Sequence, residues 1–329
     1  MRKELSVEEI LEGFHLASLL HGLDRLGVLD EMTSPTAPAD LAATTHVDSE
    51  LLCICLEYIA GRTTLVERDG RNYLVTVEWN EYARACVRQY IGAYGRPSTE
   101  VAAVLRDPSV GPALVDHEEQ ARSYSRAPTA ARLVADLVLQ LDLTPTLDLG
   151  CGSASMLVEL GCRRPDFVGW GVDASPEMCA AARARVAENR LGDRITIVHG
   201  DAFAPNTIAD LQTLNVRAIT ATSLLNELWD LRHGRPSVTA WLQSMAETFP
   251  GRAVVIADYF GRLGRTPPPW PTQTAVHDLV QALSGQGIPP PDHDAWRNAY
   301  SEASADLLHM IEDEAKSFFI HLLRLSGDP

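Results

Sequence analysis

A short apolar run that breaks into a glycine-containing turn, and then into a helical pattern, constrains this chain more than any other feature. Residues 146–149 (Thr-Leu-Asp-Leu) have the character of a buried strand, Gly150 and Gly152 follow directly, and apolar residues return at helical spacing from Met156. Glycines at such a turn allow a sharp change of direction and leave room for a ligand close to the backbone. Strand, turn and helix together predict a nucleotide-type pocket at the carboxyl end of a parallel sheet.

The rest of the second half alternates between strand and helix patterns. Further strands are predicted at 167–172, 195–198, 216–221 and 253–257, with a closing pair at 307–311 and 317–323. This alternation is typical of a doubly wound parallel sheet covered by helices on both faces. The predicted fold class is therefore α/β, a Rossmann-like sheet of seven strands.

The first hundred residues have a different pattern. A capping box at Ser6 and Glu9 starts one helix, Pro38 starts a second, and a third runs from Asp48 to Gly61. Two β-prone runs then flank Asp69-Gly70, which is a hairpin signal. Three helices and a hairpin predict a winged-helix module over 1–100, followed by a helical connector over 101–135 and a ligand-binding domain over 136–329.

Charge and composition limit the possible partners and compartments. The net charge is −16, and the third helix carries no basic residue before Gly61, so neither feature favours binding to nucleic acid. The front module is therefore interpreted as structural or as a dimerisation domain. Six cysteines form no CxxC pair, the N-terminus has no signal-peptide core, and no apolar run reaches the length of a membrane span. A cytoplasmic protein without membrane contact is expected.

The residues that follow each predicted strand are the candidates for ligand binding, because such ligands lie at the carboxyl ends of the strands. Asp173 follows the second strand, where a carboxylate suits the two hydroxyls of a ribose, and Asp201 and Ala202 follow the third. Ser223 follows the fourth. A dinucleotide fingerprint requires glycine at the position of Ser155, so a nucleoside without phosphates is the predicted ligand.

With these residues the sequence resembles the class I S-adenosylmethionine-dependent methyltransferases. Residues 148–154 (Asp-Leu-Gly-Cys-Gly-Ser-Ala) resemble the family's acidic-x-Gly-x-Gly-x-Gly turn, with Ala154 in place of the third glycine, and residues 200–202 resemble its adenine-binding motif. The resemblance implies S-adenosyl-L-methionine as cofactor, with the glycine turn along its methionine part, Asp173 on the ribose and Asp201 on the adenine. The front module resembles that of the small-molecule O-methyltransferase-like subgroup, which implies a homodimer formed through this domain.

Other cofactor residues are expected around the same turn. Asp148 is expected to hold the backbone of the glycine loop, and Ala202 and Ser223 are expected to line the cofactor site. Tyr124, which precedes the helix leading to the first strand, is a candidate for the carboxylate of the cofactor.

The acceptor side of the site is less clearly marked. Plant-type O-methyltransferases of this architecture place a His-Asp pair after the fourth strand, and this chain has Asn226 and Glu227 there without a histidine. Those two residues, with His277 as a further base candidate, form the predicted catalytic set, and no metal site is predicted. A methyltransferase acting on an amino acid, a 2-oxo acid or a secondary metabolite is the favoured function. A cofactor-cyclising enzyme that releases methylthioadenosine and a non-catalytic cofactor sensor are the alternatives.

Overall fold

The computed structural model describes residues 4–123, 129–208, 210–230, 232, 234–313 and 317–327. The chain divides into two compact units, Met1–Gly95 and Arg96–Pro329. Within the described ranges, no helix is both long and apolar enough to cross a membrane.

The first unit contains three helices followed by a hairpin and a fourth helix. They are α1 (Val7–Arg25), α2 (Pro38–Thr45), α3 (Ser49–Arg62), β1 (Val66–Asp69), β2 (Asn72–Val75) and α4 (Glu81–Val87). The Ser6 and Glu9 capping box is present, with both reciprocal hydrogen bonds formed. The predicted stop at Gly61 is one residue early: α3 ends at Arg62, and the extended backbone of Thr63 breaks the helical pattern.

The core of this unit leaves one apolar surface uncovered by the unit's own residues. Leu56 and Ile59 of α3 are fully buried among apolar neighbours, and Asp24 is buried beside Arg84 and Arg88. In contrast, four apolar side chains of α1 are more than half exposed: Val7, Ile10, Leu11 and Phe14. Contiguous exposed apolar side chains of this kind are typical of surfaces that contact another molecule.

The second unit is built on a seven-stranded sheet. Three short helices come first: α5 (Gly95–Thr99), α6 (Val101–Arg106) and α7 (Val110–Ala113). The helices that follow are α8 (His117–Ser123), α9 (Thr129–Gln140), α10 (Ser155–Arg163), α11 (Pro176–Glu188), α12 (Val238–Thr248), α13 (Thr272–Leu283) and α14 (His293–Glu302). The strands are β3 (Thr146–Leu149), β4 (Gly169–Asp173), β5 (Ile195–His199), β6 (Ala218–Thr222), β7 (Ala253–Tyr259), β8 (Asp306–Asp313) and β9 (Phe318–Arg324).

The strand order is β5-β4-β3-β6-β7-β9-β8. The first five strands in this order are parallel, and β9 is antiparallel to both β7 and β8. Chain order runs outward from β3 in both directions, to β4 on one side and to β6 on the other. That reversal is a topological switch point, and ligands of open α/β sheets bind at the carboxyl ends of the strands there. The predicted seven-stranded doubly wound sheet is confirmed.

Candidate active site

The glycine turn has the backbone conformation that its sequence predicts. Gly150 and Gly152 have φ values of 70° and 53°, in the left-handed region that favours glycine. A Cβ built on Gly150 would lie 2.9 Å from Cδ1 of Leu224, whereas one built on Gly152 meets no atom within 4 Å. The first glycine is therefore required by packing and the second by conformation and open space. Ala154, which replaces the third glycine of the motif, also has a left-handed φ of 58° and directly precedes α10.

Asp148 lies inside β3 and is almost fully buried. Its Oδ1 accepts a hydrogen bond of 2.7 Å from Thr220 Oγ1 of the neighbouring strand β6. Burial raises the pKa of the Asp148 carboxyl to about 7, and the negative charge of Asp173 adds to the rise. The expectation that Asp148 holds the glycine loop is wrong: its carboxyl bonds across the sheet, and a different carboxylate bonds the loop.

That carboxylate is Asp173, at the end of β4. Its Oδ2 accepts from the backbone N–H of Gly152 at 2.8 Å, and its Oδ1 accepts from the N–H of Ser175 at 2.9 Å. Ser175 in turn caps α11 by accepting from the N–H of Met178. Since each carboxylate oxygen has two lone pairs, Asp173 retains acceptor capacity after fixing both loops.

The third strand end forms the adjoining wall. Asp201 is exposed, and its Oδ1 accepts from the N–H of Phe203 at 2.8 Å, which shapes a turn directly after β5. Ala202 is buried, and its carbonyl accepts from Nε1 of Trp241 at 3.1 Å. These contacts fix the backbone of the turn and leave one carboxylate oxygen of Asp201 without a hydrogen bond within the described residues.

Beyond the fourth strand the chain turns sharply and then forms a short 3-10 helix from Leu225 to Trp229. Ser223 has a φ of 51°, and its N–H donates to the carbonyl of Ala257 at 2.8 Å. This turn brings the exposed Ser223 and the buried Leu224 beside Gly150. Glu227, the acidic residue of this 3-10 helix, lies two positions after Leu225.

The carboxylate of Glu227 is held on both oxygens. Arg235 forms an ion pair with Oε2, and Gln286 Nε2 donates to Oε1 at 3.1 Å. The side chain of Glu227 is only 15% exposed. Burial raises the pKa of the Glu227 carboxyl above its ordinary value, and the positive charge of Arg235 opposes that rise. The Arg235 guanidinium also lies 5.0 Å from the centroid of the Phe203 ring, in a cation–π arrangement.

Asn226 and His277 lie elsewhere. The backbone N–H of buried Asn226 donates to Asp258 Oδ2 at 2.9 Å, and its side-chain amide donates to Gln281 Oε1 at 3.3 Å. The ring of half-buried His277 packs edge-on against Tyr259, with the centroids 4.6 Å apart, and desolvation lowers the pKa of its imidazole to about 4. Of the three predicted catalytic residues, only Glu227 is among the described residues that line the cleft.

The strand ends surround a cleft with two connected parts. The inner part, of about 270 Å³, lies over the glycine turn, and the outer part, of about 780 Å³, extends past Asp201 and Arg235. Residues that line both parts are His117, Gly150, Asp173, Ser175, Leu224, Glu227 and Gln286. Asp148, Gly152 and Ser223 line the inner part, and Asp201 and Ala202 line the outer part. The predicted cofactor residues other than Tyr124, which lies outside the described residues, therefore line the two parts of this cleft.

Several residues that line the cleft could not be predicted from the sequence. His117 and Gln120 come from α8 and are linked by a contact of 3.0 Å between Nδ1 and Oε1, whereas Arg235 and Gln286 come from loops. The stretch Asp116-His-Glu-Glu-Gln120 does carry a helix-start signal, since Asp116 accepts from the N–H of Glu119. Nothing in that signal indicated a position in the cleft. Tyr124 lies outside the described residues, and no group of three or more possible metal-ligating side chains occurs in the described ranges.

The cleft fits a positively charged nucleoside. Carboxylates of Asp148, Asp173 and Glu227 border the inner part, and the open space at Gly152 leaves its backbone accessible. Asp173 has unused lone pairs at the height of the turn, where a ribose would lie. These features suit the sulfonium, the ribose and the adenine of S-adenosylmethionine.

Comparisons with known proteins agree with this geometry. Residues 146–247 match the model of a methyltransferase domain. Over 55 residues the chain is 44% identical to the release factor glutamine methyltransferase of Caulobacter vibrioides, and the match spans 17% of this chain and 19% of that relative.

Solved structures resemble nearly the whole chain. The mitomycin 7-O-methyltransferase is 18% identical, with 97% of both chains covered and a TM-score of 0.70. Human N-acetylserotonin methyltransferase in complex with S-adenosylmethionine is 16% identical, with 99% of this chain and all of that one covered and a TM-score of 0.71. A methyltransferase of calicheamicin biosynthesis, bound to S-adenosylhomocysteine, is 18% identical over 98% and 97% of the two chains, with a TM-score of 0.61.

These findings confirm the predicted fold and identify a methyltransferase domain at residues 146–247. The chain is a class I S-adenosylmethionine-dependent methyltransferase in fold, and its residues 146–247 are a methyltransferase domain.

Proposed function

We propose that this protein transfers the methyl group of S-adenosylmethionine to a hydroxyl group of a small molecule. The observation that carries the proposal is the carboxylate of Glu227, which lines both parts of the cleft and is held there by Arg235 and Gln286. The names of the similar structures, which include a mitomycin 7-O-methyltransferase, support a hydroxyl acceptor. The match to a methyltransferase domain supports the transfer reaction rather than cyclisation of the cofactor or a purely sensory role.

The cofactor residues take the following roles in this proposal. The glycine turn with Ser223 borders the methionine part, Asp173 accepts from the ribose hydroxyls, and Asp201 with Ala202 borders the adenine. Asp148 supports the turn indirectly, because its hydrogen bond from Thr220 helps to keep β3 in register with β6. Tyr124 stays a prediction for the cofactor carboxylate, since it lies outside the described residues.

When bound, S-adenosylmethionine supplies an electrophilic methyl group on a positively charged sulfur. The chain supplies position: methyl transfer needs an in-line approach, and holding the acceptor at the cofactor accounts for most of the rate. Glu227 accepts a hydrogen bond from the acceptor hydroxyl and takes its proton as the hydroxyl oxygen attacks. Its raised pKa makes it a stronger base than an exposed carboxylate, and the Arg235 ion pair keeps the side chain oriented.

Asn226 and His277 are proposed to position rather than to touch the substrate. Asn226 bonds to Asp258 and Gln281, so it links the segment that carries Glu227 to the end of β7 and to α13. His277 extends the same packing by its contact with Tyr259. A catalytic role for either residue stays a prediction.

The test uses purified full-length protein, S-adenosylmethionine labelled in its methyl group, and a panel of phenols, alcohols, amines and 2-oxo acids. Mass spectrometry then identifies the nucleoside product and the labelled acceptor. S-adenosylhomocysteine formed together with a labelled methyl ether supports the proposal. Methylthioadenosine released without an acceptor, or a label found only on amines or carbon, would overturn it. The Glu227→Gln variant, which keeps the shape of the side chain, serves as the matched control for background transfer.

We also propose that the protein is a homodimer in which the exposed apolar face of α1 contacts a second copy. The apolar side chains of α1 on this face are 54–67% exposed: Val7, Ile10, Leu11 and Phe14. In α3 of the same unit, Leu51 is 61% exposed and Ile54 is 59% exposed. Light scattering after size exclusion gives the mass of the species in solution. A dimer is expected for the natural chain and a monomer for Phe14→Asp. Glu4→Gln, a change of an exposed residue close in sequence, serves as the control, and a natural chain that stays monomeric at micromolar concentration contradicts the proposal.

A cytoplasmic location without nucleic-acid or membrane partners is proposed as well. The acidic net charge of −16 supports the first exclusion, and the six cysteines, all unpaired thiols, fit a reducing compartment.

A further inference from the structure

A second groove lies at the amino ends of β6 and β7, at the end of the sheet opposite the cofactor cleft. Its volume is about 600 Å³, within the range of small-molecule sites. Its lining residues are Leu141, Asp142, Leu143, Arg217, Gly251, Arg252, Ala253, Leu308, Leu322, Arg324 and Gly327. Since β6 begins beside Arg217 in this groove and ends at Thr222 in the cleft, the two sites are separated by the length of that strand.

Three arginines meet in this groove because neighbouring strands bring them there. Arg217 directly precedes β6, Arg252 directly precedes β7, and Arg324 is the last residue of β9. The register pairs Ala218 with Ala253, and Ala253 with Arg324. Neighbouring strands lie about 4.8 Å apart, and like charges on adjacent strands destabilise a sheet. Arg217 and Arg252 therefore lie at neighbouring positions of adjacent strands, and their positive charges repel each other unless an anion balances them.

The described carboxylates balance only part of this charge. Arg217 Nη1 donates to Asp142 Oδ2 at 2.6 Å, and the other oxygen of Asp142 accepts from Arg164 at the same distance. Among the described residues, the guanidinium group of half-buried Arg252 has a single long hydrogen bond, 3.5 Å to Oδ1 of Asn215. Among the ion pairs of the described residues, neither Arg252 nor exposed Arg324 has a carboxylate partner. Asp306 of β8 lies opposite Arg324 in the register, without an ion pair between them, so three arginines face two carboxylates, Asp142 and Asp306, at this groove within the described residues.

The groove also offers apolar surface beside those cations. Leu141 and Leu308 are 41% and 40% exposed there, and the buried Leu322 completes the wall. A purely ionic ligand such as phosphate would leave that surface in water, whereas a ligand with an apolar body would cover it. The two guanidinium groups without carboxylates present planar donors of the kind that bind carboxylates.

We propose that this groove binds an amphipathic organic anion, with its acidic head between Arg252 and Arg324 and its apolar body on Leu141 and Leu308. This site is independent of the proposed reaction, since none of its residues lines the cofactor cleft. Its ligand class is a carboxylic acid with a hydrocarbon chain of medium length.

The test is calorimetric titration of the full-length protein with decanoate at low ionic strength, without cofactor and below the critical micelle concentration. Binding to one site is expected for the natural chain. Binding at least about tenfold weaker is expected for the double variant Arg252→Gln/Arg324→Gln, because both charged donors to the head are lost. Arg106→Gln removes a positive charge from an exposed helix end outside the groove and is expected to leave the affinity unchanged.

A variant with the opposite expected effect makes the test sharper. Asp142→Asn removes the competing carboxylate, and Asn tolerates the left-handed φ of 51° at this position. Its affinity for decanoate should rise about threefold, because one negative charge near the head is gone. Absence of binding to the natural chain, equal affinity of the double arginine variant, or weaker binding to Asp142→Asn would each overturn the proposal. Melting curves of every variant show whether it is folded.

Discussion

Replacing Asp173 by asparagine should weaken the binding of S-adenosylmethionine about tenfold to a hundredfold. The carboxylate accepts from two backbone N–H groups, at 2.8 Å from Gly152 and 2.9 Å from Ser175. An asparagine keeps one acceptor oxygen and turns an NH₂ group toward the other N–H, so one charge-assisted hydrogen bond is lost. Such a bond contributes about 1.5–3 kcal/mol, which corresponds to that range of affinity.

This loss alone would not show that Asp173 contacts the ribose, because the same change also loosens the glycine turn. A double cycle separates the two effects. Calorimetry measures the affinity of the natural chain and of Asp173→Asn for S-adenosylhomocysteine and for its analogue that lacks both ribose hydroxyls. If the carboxylate accepts from the hydroxyls, the natural chain loses affinity for the analogue and the variant loses much less. A coupling energy of about 1 kcal/mol or more is expected.

Two outcomes would refute this reasoning. Equal losses for both proteins on removal of the hydroxyls would mean that Asp173 acts only through the loops, and the ribose assignment would be wrong. An unchanged affinity of Asp173→Asn for the complete ligand would contradict both roles. Asp201→Asn is the matched control, because it makes the same chemical change at the next strand end, where one exposed carboxylate oxygen accepts only from the N–H of Phe203.

Three further predictions concern the same cleft. Glu227→Gln should lower kcat about a hundredfold or more while the calorimetric affinity for S-adenosylmethionine changes less than threefold, and an unchanged kcat would remove Glu227 as the base. Gly150→Ala should lower the free energy of unfolding in urea more than Gly152→Ala, because only the first adds a clash with Leu224. Gly152→Ala should weaken cofactor binding more than Gly150→Ala. The reverse order in either measurement would contradict the geometry. Burial raises the folded-state pKa of Asp148 to about 7, so the free energy of unfolding should fall as pH rises from about 4 to about 7, by up to about 4 kcal/mol, and Asp148→Asn should lose that part of the dependence. An equal change in the free energy of urea unfolding between pH 5 and pH 8 for both chains would contradict it.

The sheet could be predicted from the sequence because each of its strands is marked locally. Short apolar runs predicted all seven strands, and the hairpin followed from Asp69-Gly70. The same holds for the turn after β3, since a left-handed backbone is demanded by the chain itself and glycine supplies it at two positions. Ala154 shows the limit of that rule, because a residue with a Cβ takes the third left-handed position.

Partners that come from distant segments could not be predicted. Asp148 and Asp173 are both acidic and close to the turn, but which of them bonds the loop depends on where β4 lies beside β3. In the register, Asp148 pairs with Gly171, so Asp173 lies two residues further along, level with the glycine loop. In the same way, Gln286 and Arg235 reach Glu227 only because loops after β6 and α13 meet over the sheet.

In the proposed reaction Glu227 takes the place of a histidine base after the fourth strand, and its surroundings support that role. A histidine base would be useful because its pKa lies near neutral pH, and an exposed glutamate is far too weak a base for the same task. Burial raises the pKa of the Glu227 carboxyl, while the positive charge of Arg235 opposes that rise. If this balance sets the base, Arg235→Gln should shift the acidic limb of the kcat/KM profile to higher pH, since the opposing positive charge is gone. A shift to lower pH, or none, would mean that the ion pair serves only the packing of the loop against Phe203.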